Sequence, residues 1–401
     1  MTFALVLVAP ALVFAQARDL EVARLEQAAL RYRQIAAHGG WQHVPPGPSI
    51  HPGEHDPAIA AVRERLRATG DLLAAGTGEP PAAALADAYD DGLVAAVRVF
   101  QRRHGLAQDG VIGARTRAAM NVPIGERIAQ LELNRQRVEH EEPPAARYIR
   151  VNVPAYRLGV FEGDERVLEM PVVVGRRDRR TPLIESKITW VVFNPTWTIP
   201  TKLAYEDVLP KIRRDPDYLV KTGIQVYDGW SAGAAAIDPS WIDWTKVGPA
   251  VKRMKLRQAP GDGNPLGRIK FHMVNDYDVY LHDTNHPDLM ARDRRDLSSG
   301  CIRVGDARAL VREVLRDQPG WDEARIAAVI ASGETVRVGL RHPMPVRVTY
   351  QTAWVEEPDA VQFREDIYDI DARQVAELTA GTRRAEVRET APATRAAAPL
   401  R

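Results

Sequence analysis

The stretch YLHDTNHPDLMARDRRDLSSGCIRV, residues 280–304, carries the only cysteine of this 401-residue chain, Cys301. The segment 278–281 that leads into it has the alternation of a strand and ends at His282, 19 residues before the cysteine. Beyond the cysteine, apolar residues at helical spacing predict a helix from about Asp306: Ala307, Leu310, Val311, Val314 and Leu315. A single thiol cannot form an intramolecular disulfide, so Cys301 is either a packed core residue or a residue kept for chemistry.

A nucleophilic cysteine needs a base for its proton, dipoles that favour the thiolate and the oxyanion, and small neighbours that admit a substrate carbonyl. His282 is the leading candidate for the base, and His286, which lies in a loop before Pro287, is the weaker one. Gly300 removes side-chain bulk beside the thiol. The backbone N–H groups of Gly300 and Cys301 are expected to face an oxyanion if the stretch is a turn. Spacing alone leaves a buried, structural cysteine open as the alternative.

Length and composition describe an ordinary globular protein. A chain of 401 residues predicts two or three domains, because single cores stop growing near about 250–300 residues. Hydrophobic residues make up 45% of the chain, and 54 Lys and Arg against 53 Asp and Glu give a net charge of +1. A nucleic-acid partner is therefore not expected, since it requires a basic surplus.

The N-terminal stretch TFALVLVAPALVFAQA, residues 2–17, is apolar and ends in Ala15-Gln16-Ala17, a signal-peptidase pattern. It is short for a membrane span and contains Pro10, so residues 1–17 predict a cleaved signal peptide, although no Lys or Arg precedes the apolar stretch. We therefore expect an exported, periplasmic or cell-wall-associated protein. No integral membrane span is expected after cleavage, and the oligomeric state stays open.

The N-terminal third is predicted to be helical. A helix followed by a loop is predicted over residues 18–54. The apolar face of this helix forms a stripe of Leu25, Ala28, Ala29, Tyr32, Ile35 and Ala36. Three short helices follow over 55–121, and the stretch AVRVFQRRHGLAQDGVIGARTRAAM (96–120) resembles the small peptidoglycan-binding domain found beside cell-wall enzymes. A generic three-helix scaffold is the alternative. A helix and a charged, proline-containing linker occupy 122–146.

The character of the sequence then changes. Strand-like runs predict a mainly-β domain over 147–340, with mixed, sandwich-like sheets, and a helical insertion over 201–260. Trp230, Trp241 and Trp244 in that insertion indicate either its small core or a glycan-stacking surface. Strands and a short helix are expected over 341–378 and a disordered tail over 379–401. The fold class is thus a multidomain α+β chain.

Two motif matches point to other enzymes. GWSAG, residues 229–233, fits the serine-hydrolase pattern, but Pro239 follows too soon for the helix that a nucleophilic Ser231 requires. HPGEH, residues 51–55, fits an inverted zinc-peptidase pattern, but Pro52 and Gly53 forbid the helix that would align His51 and His55. Neither site is expected, and no metal site is predicted.

In L,D-transpeptidases a histidine in His-x-Thr precedes Ser-x-Gly-Cys by a loop, and an arginine follows the cysteine by two residues. Residues 280–304 resemble that signature, and TPLIESKITWVVFNPTWTIP (181–200) and GDGNPLGRIKF (261–271) occur in the expected order. Many members carry histidine where Ser299 stands. This chain is similar to a larger subgroup, which combines Ser-Ser-Gly-Cys with a peptidoglycan-binding domain and a capping insertion.

The resemblance implies that Cys301 is the nucleophile, that His282 is the general base and acid, and that the Gly300 amide binds the oxyanion beside the turn residue Ser299. It implies 3→3 cross-linking of peptidoglycan stem peptides with release of D-alanine, acylation by carbapenems, and no cofactor. Arg303 is a candidate for binding a substrate carboxylate, with an ion pair to an aspartate as the alternative, and Tyr280 is a weaker pocket candidate. A cysteine carboxypeptidase or hydrolase and a catalytically inactive peptidoglycan-binding protein are the competing interpretations.

Overall fold

The computed structural model describes residues 10–74, 86–356 and 360–377, and it forms two compact units. One unit comprises the chain up to Pro143 together with the part from Gln351 onwards, and the other comprises Pro144–Tyr350. The predicted tail, 379–401, and the first nine residues of the predicted signal peptide lie outside the described residues. No helix in the described ranges is long and apolar enough to cross a membrane.

Helices dominate the first unit: α1 (Pro10–Ala37), α2 (Ala58–Ala68), α3 (Asp71–Ala74), α4 (Asp91–Arg103), α5 (Ala114–Met120) and α6 (Ile124–Glu139). Asp56 and Asp90 cap α2 and α4, because their carboxylates accept hydrogen bonds from the amides of Ala58 and Leu93, each at 2.8 Å. The three short helices predicted over 55–121 correspond to α2, α4 and α5, and the four-residue α3 was not predicted. Helix α1 runs without a break through Ala17, and the signal peptide itself stays a prediction.

Two apolar cores hold this unit together. The residues of α2, α4 and α5 enclose one core, which includes Ile59, Val62, Leu93, Val97, Phe100 and Met120. The predicted stripe of α1 packs with α6 and the C-terminal hairpin in the other, through Leu25, Ala28, Ala29, Tyr32, Leu131 and Phe363. Ile35 and Ala36, at the end of the stripe, are only partly buried.

The second unit begins with four strands, β1 (Arg147–Asn152), β2 (Arg157–Glu162), β3 (Glu165–Gly175) and β4 (Glu185–Phe193). The turn between β2 and β3 contains Gly163 at φ +59°, a left-handed conformation that suits glycine. These strands belong to the large sheet of the unit, and the insertion follows them.

The insertion is not purely helical, which corrects the prediction. Its first part contains α7 (Thr201–Leu203), a π-helical segment Ala204–Val208, α8 (Leu209–Arg214) and α9 (Tyr218–Thr222). Four short strands then form a separate sheet in the order β5-β8-β6-β7: β5 (Trp197–Thr198), β6 (Ile224–Tyr227), β7 (Ala236–Ile237) and β8 (Lys255–Gln258). Strands of two to four residues carry too little alternation to be recognised from sequence. Trp244 is buried in the core of the insertion, whereas Trp230 and Trp241 are exposed.

The rest of the unit completes the large sheet and packs two helices: β9 (Ile269–Met273), β10 (Leu281–His282), β11 (Asp296–Ser298), β12 (Ile302–Val304), α10 (Ala307–Leu315), α11 (Glu323–Ser332) and β13 (Val336–Thr349). The strand order is β11-β3-β12-β10-β9-β4-β13-β1-β2, and β2 also pairs with β3, so that the sheet closes on itself. The α+β prediction is confirmed, but one closed sheet replaces the expected sandwich. A register shift at Val160–Phe161 bends the β2–β3 pair that makes the closure.

The boundary of the sheet unit also differs from the predicted residue 340. Strand β13 continues to Thr349 and lies between β4 and β1, which places it inside the closed sheet. Residues after Tyr350 belong to the first unit, where they form the hairpin β14 (Ala353–Glu356) and β15 (Ala360–Phe363) and a helix over 370–377.

Candidate active site

Three neighbouring strands present the chemistry-bearing residues on one face of the closed sheet. His282 of β10 stands opposite Lys270 of β9 on one side and opposite Arg303 of β12 on the other. Because side chains alternate along a strand, Tyr280 and Cys301 share this face, two residues before His282 and Arg303. The next residues in the same strands point to the core and are fully buried: Phe271, Leu281 and Ile302.

A turn stabilised by Ser298 presents the thiol. The Ser298 hydroxyl donates to the Cys301 carbonyl at 2.6 Å and accepts from the Gly300 amide at 3.1 Å. Gly300 has φ +118°, a backbone conformation that residues with a Cβ rarely adopt. The Gly300 amide, expected to be free for an oxyanion, is therefore occupied by Ser298 here. Its role in binding an oxyanion stays a prediction.

The Cys301 thiol is partly buried, and its surroundings include residues 278–280. Its Sγ lies 3.9 Å from the Asp278 carbonyl, and Tyr280 is among the groups that influence the pKa of the thiol. Burial raises the pKa of the Cys301 thiol, while Tyr280 and the positive charges of Lys270 and Arg303 oppose that rise. The resting group is a thiol whose surroundings would favour the thiolate once it forms.

Tyr280 is closer to the chemistry than expected. Its ring centre lies 5.7 Å from that of His282, and the Lys270 ammonium lies 3.6 Å from the centre of the phenol ring. Burial raises the pKa of Tyr280 well above its ordinary value, so the hydroxyl stays protonated and can donate to the thiolate. The structure thus places Tyr280 beside both His282 and Lys270 on this face.

His282 is buried and neutral. Only 4% of its surface is exposed; its Nδ1 donates to the Asp283 carbonyl at 2.6 Å, and the ring also contacts the Pro265 backbone. Burial, followed by the charge of Arg303, lowers the pKa of His282 to about 3. In the described part of the chain no hydrogen bond joins His282 to Cys301. Proton transfer between the two stays a prediction.

Arg303 faces the site without an ion pair. Its Nε is buried without a hydrogen-bond partner, and within the described ranges no carboxylate pairs with its guanidinium. The alternative of an ion pair with an aspartate is therefore not observed. Burial lowers the pKa of the Lys270 ammonium. Like Arg303, Lys270 makes no ion pair with a described residue. Two cations on the face that carries the thiol make a site for an anion.

Sequence reasoning missed Lys270, Ser298 and the residues that support the turn. Lys270 could have been found, because it interrupts the buried residues Ile269, Phe271 and Met273 at alternate positions of one strand. Ser299, predicted as a turn residue, is exposed and its hydroxyl accepts from Arg179 at 3.1 Å. Arg179 lies 120 residues away in sequence, and no local pattern connects the two.

The remaining candidates do not join this site. His286 is exposed and lies 3.8 Å from Asp288. Ser231 lies in the exposed connection between β6 and β7, without the helix that its motif requires. His51 and His55 are in a non-helical segment, and among the described residues no group of three or more His, Cys, Asp or Glu side chains is placed to hold a metal ion.

Two known domain families match successive parts of the chain. Residues 146–338 match the family model of the L,D-transpeptidase catalytic domain, and residues 55–120 match that of a "Putative peptidoglycan binding domain". The chain therefore carries a peptidoglycan-binding domain that is followed in the sequence by an L,D-transpeptidase catalytic domain. The resemblance seen in the sequence is confirmed.

Among individual proteins, the chain is similar to a "Putative L,D-transpeptidase" of Haemophilus influenzae, with 38% identity over 246 residues that cover 61% of this chain. The match spans about half of that relative, 48% of its length. Solved structures of L,D-transpeptidases from Xylanimonas cellulosilytica and Stackebrandtia nassauensis match with 15% and 13% identity. They cover 76% and 75% of this chain and 99% and 97% of their own chains, at TM-scores of 0.24 and 0.26. Superpositions at such scores support no statement about this chain.

Proposed function

We propose that this chain is an L,D-transpeptidase that forms 3→3 cross-links between peptidoglycan stem peptides through a thioester on Cys301. The observation that carries the proposal is the shared face on which His282 lies between Lys270 and Arg303, with Tyr280 and Cys301 two residues before His282 and Arg303. A buried structural cysteine would not require a tyrosine hydroxyl and two unpaired cations around its sulfur.

In the first step, the Cys301 thiolate attacks the carbonyl carbon of residue three in a stem tetrapeptide. The S–C bond forms, the amide C–N bond to the terminal D-alanine breaks, and the amine leaves with the proton that the thiol gave up. His282 is the proposed carrier of that proton. The amides of Gly300 and Cys301 are the proposed oxyanion donors, which requires the Ser298 hydroxyl to release the Gly300 amide.

In the second step, an amine on the side chain of a second stem attacks the thioester carbonyl. A new amide bond forms, the C–S bond breaks, and the sulfur recovers a proton. The proton that returns to the sulfur is the one that the attacking amine loses, and the Tyr280 hydroxyl, which stays protonated, is the proposed hydrogen-bond donor to the departing thiolate. Water in place of the amine would give hydrolysis at the same residues.

The two cations supply a reason why His282 becomes a base only with substrate. Burial is the main cause of the low pKa of His282, and the positive charges of Arg303 and, to a smaller extent, Lys270 lower it further. A stem-peptide carboxylate bound between the two cations would offset that charge and raise the pKa of His282. Substrate binding would thereby activate the base, while the free enzyme keeps a neutral thiol and a neutral imidazole.

The location of the protein follows from the same chemistry. Peptidoglycan lies outside the cytoplasmic membrane, and the predicted signal peptide supports export to the periplasm or the cell wall. The peptidoglycan-binding domain would hold the catalytic domain near its polymeric substrate, which raises the effective substrate concentration.

Incubation of the purified full chain with tetrapeptide muropeptides, followed by mass spectrometry of the products, tests the proposal. We expect 3→3 dimers from wild type and none from Cys301→Ala. Ser231→Ala, in the exposed GWSAG segment, is the matched control and should also give dimers. Dimers from Cys301→Ala would contradict the mechanism. Tripeptide without dimers would indicate a carboxypeptidase or hydrolase, and retention on insoluble sacculus without any product would indicate a binding protein.

A carbapenem adduct provides a second readout. The intact mass of wild type should increase by one carbapenem after incubation, and that of Cys301→Ser should not. An equal adduct on both proteins would count against Cys301 as the acylated residue.

A further inference from the structure

One arginine connects the insertion to the turn that presents the thiol. Arg179 lies between β3 and β4, and only 8% of its side chain is exposed. Its Nη1 donates to the Ser299 hydroxyl at 3.1 Å and to one Asp207 oxygen at 2.5 Å, and its Nη2 donates to the other Asp207 oxygen at 2.9 Å and to Glu206 at 2.6 Å. The guanidinium fork thus holds both Asp207 oxygens, the geometry in which arginine binds a carboxylate most firmly.

The two acidic residues lie in the π-helical segment Ala204–Val208 of the insertion. Consecutive residues of a regular α-helix point about 100° apart, so two adjacent carboxylates rarely reach one cation. In the wider π turn, both Glu206 and Asp207 reach the same cation, Arg179. π-Helical segments of this kind are frequent at functional sites. Ala204 and Val208, at the ends of the same segment, are buried in the insertion core.

The other end of the contact is the turn itself. Two residues after Arg179, the Thr181 hydroxyl donates to the Gly300 carbonyl at 2.8 Å and accepts from the Gly175 amide at 2.8 Å. The Arg176 amide donates to the Ser298 carbonyl at 3.0 Å. The segment 176–181 therefore supports the turn at Ser298, Ser299 and Gly300, and the contact at Ser299 continues through Arg179 into the insertion.

We propose that Arg179 is a positioning residue that makes the geometry of the Ser298–Cys301 turn depend on the insertion. With Glu206 and Asp207 bound, Arg179 holds the Ser299 hydroxyl and with it the backbone that carries the Gly300 amide and the thiol. When the insertion moves away, Arg179 loses its acidic partners and the turn loses this restraint. Ser299 is then the residue through which the turn responds to the insertion.

The test uses the full chain and the variants Arg179→Gln, Ser299→Ala, Asp207→Asn and the double variant Arg179→Gln/Ser299→Ala. Arg176→Gln is the matched control, because this arginine lies in the same segment and its side chain pairs only with Asp178 at the surface. Hydrogen exchange of the amides of 299–301 is measured first, since it requires no activity. The rate constant of carbapenem acylation is then separated from the inhibitor's binding constant.

We expect faster exchange at 299–301 in Arg179→Gln and in Asp207→Asn, but not in Arg176→Gln. Acylation should slow about tenfold in Arg179→Gln and Ser299→Ala, with unchanged carbapenem binding, and the double variant should be no slower than either single variant. Unchanged exchange in both Arg179→Gln and Asp207→Asn would overturn the proposal, as would acylation effects that multiply. Should Arg179→Gln fail to fold, Asp207→Asn and Ser299→Ala decide by the same criteria.

The acylation readout rests on the proposed function, and the exchange readout does not. A wild type that is not acylated would refute the proposed function, and exchange at 299–301 would still decide the role of Arg179.

Discussion

Tyr280 and His282 lie two residues apart on one face of the sheet with ring centres 5.7 Å apart, but they interact with different neighbours. The Tyr280 ring lies under the Lys270 ammonium and its pKa responds to Cys301, whereas His282 Nδ1 donates to the carbonyl of its own neighbour, Asp283. The resting site is therefore a thiol–phenol pair beside a neutral imidazole, rather than a thiolate–imidazolium pair.

The pH dependence of thiol reactivity follows from that resting state. Burial raises the pKa of Cys301, so alkylation by iodoacetamide should be slow at neutral pH and should still increase above pH 9. The measurement is the alkylation rate of the full chain, by intact mass, from pH 5 to 10. A rate that reaches a plateau near pH 6 would instead indicate a thiolate stabilised by an imidazolium.

Removal of the Tyr280 hydroxyl should slow acylation. We expect Tyr280→Phe to lower the carbapenem acylation rate constant about tenfold, because the developing thiolate loses a hydrogen-bond donor. Tyr277→Phe is the control, since that tyrosine lies in the same segment but is 63% exposed. Equal rates for Tyr280→Phe and wild type would show that the phenol only fills space.

His282 should make the fold sensitive to acid. The pKa of His282 is about 3 in the folded protein and about 6.5 in the unfolded chain. The contribution of its neutral imidazole to stability is therefore complete above pH 6.5 and is lost as the pH falls towards 3. The loss would reach at most about 5 kcal/mol in the free energy of unfolding.

We expect His282→Gln to flatten the decrease in unfolding free energy between pH 6.5 and 3, measured by urea denaturation. His286→Gln, at an exposed histidine, should leave the decrease unchanged. Parallel curves for wild type and His282→Gln would contradict the buried, neutral state of His282.

The two unpaired cations should bind the substrate carboxylate. Arg303→Gln and Lys270→Gln should each raise KM for tetrapeptide muropeptides about tenfold, and an amidated substrate should lose this sensitivity. Arg292→Gln is the control, because this arginine is exposed and only weakly paired, 3.9 Å from Asp288. An unchanged KM in both variants would show that the face binds no anion.

Gly175 should tolerate no side chain, because it packs directly against the backbone of the segment that carries Arg179. A Cβ at Gly175 would lie 2.2 Å from the Arg179 carbonyl oxygen and 2.6 Å from the Thr181 nitrogen, both backbone atoms. We expect Gly175→Ala to lower the free energy of unfolding by about 2–3 kcal/mol, measured by thermal or urea denaturation. Gly339→Ala, a strand position with nothing within 4 Å, is the control. Equal stabilities would contradict the close contact.

Much of the site could be predicted because its signals are local. Cys301, Gly300 and Ser299 are consecutive, and the alternation of residues 278–281 correctly placed His282 at the end of a strand. The short strands of the separate sheet in the insertion could not be predicted, since β5 and β7 have only two residues each. Tyr280 was underestimated for a related reason, because contact with Cys301 depends on the pairing of β10 with β12.

The sequence by itself determined the α+β class and the two family domains, and it led to the prediction of a cysteine site, because periodicity and motif order are properties of neighbouring residues. Only the tertiary structure decided that the sheet closes, that Lys270 and Arg303 flank His282, and that Arg179 reaches both Ser299 and Asp207. The contact between Arg179 and Ser299 alone joins residues 120 positions apart. These relationships depend on strand register and on the path of the loops, which no local pattern encodes.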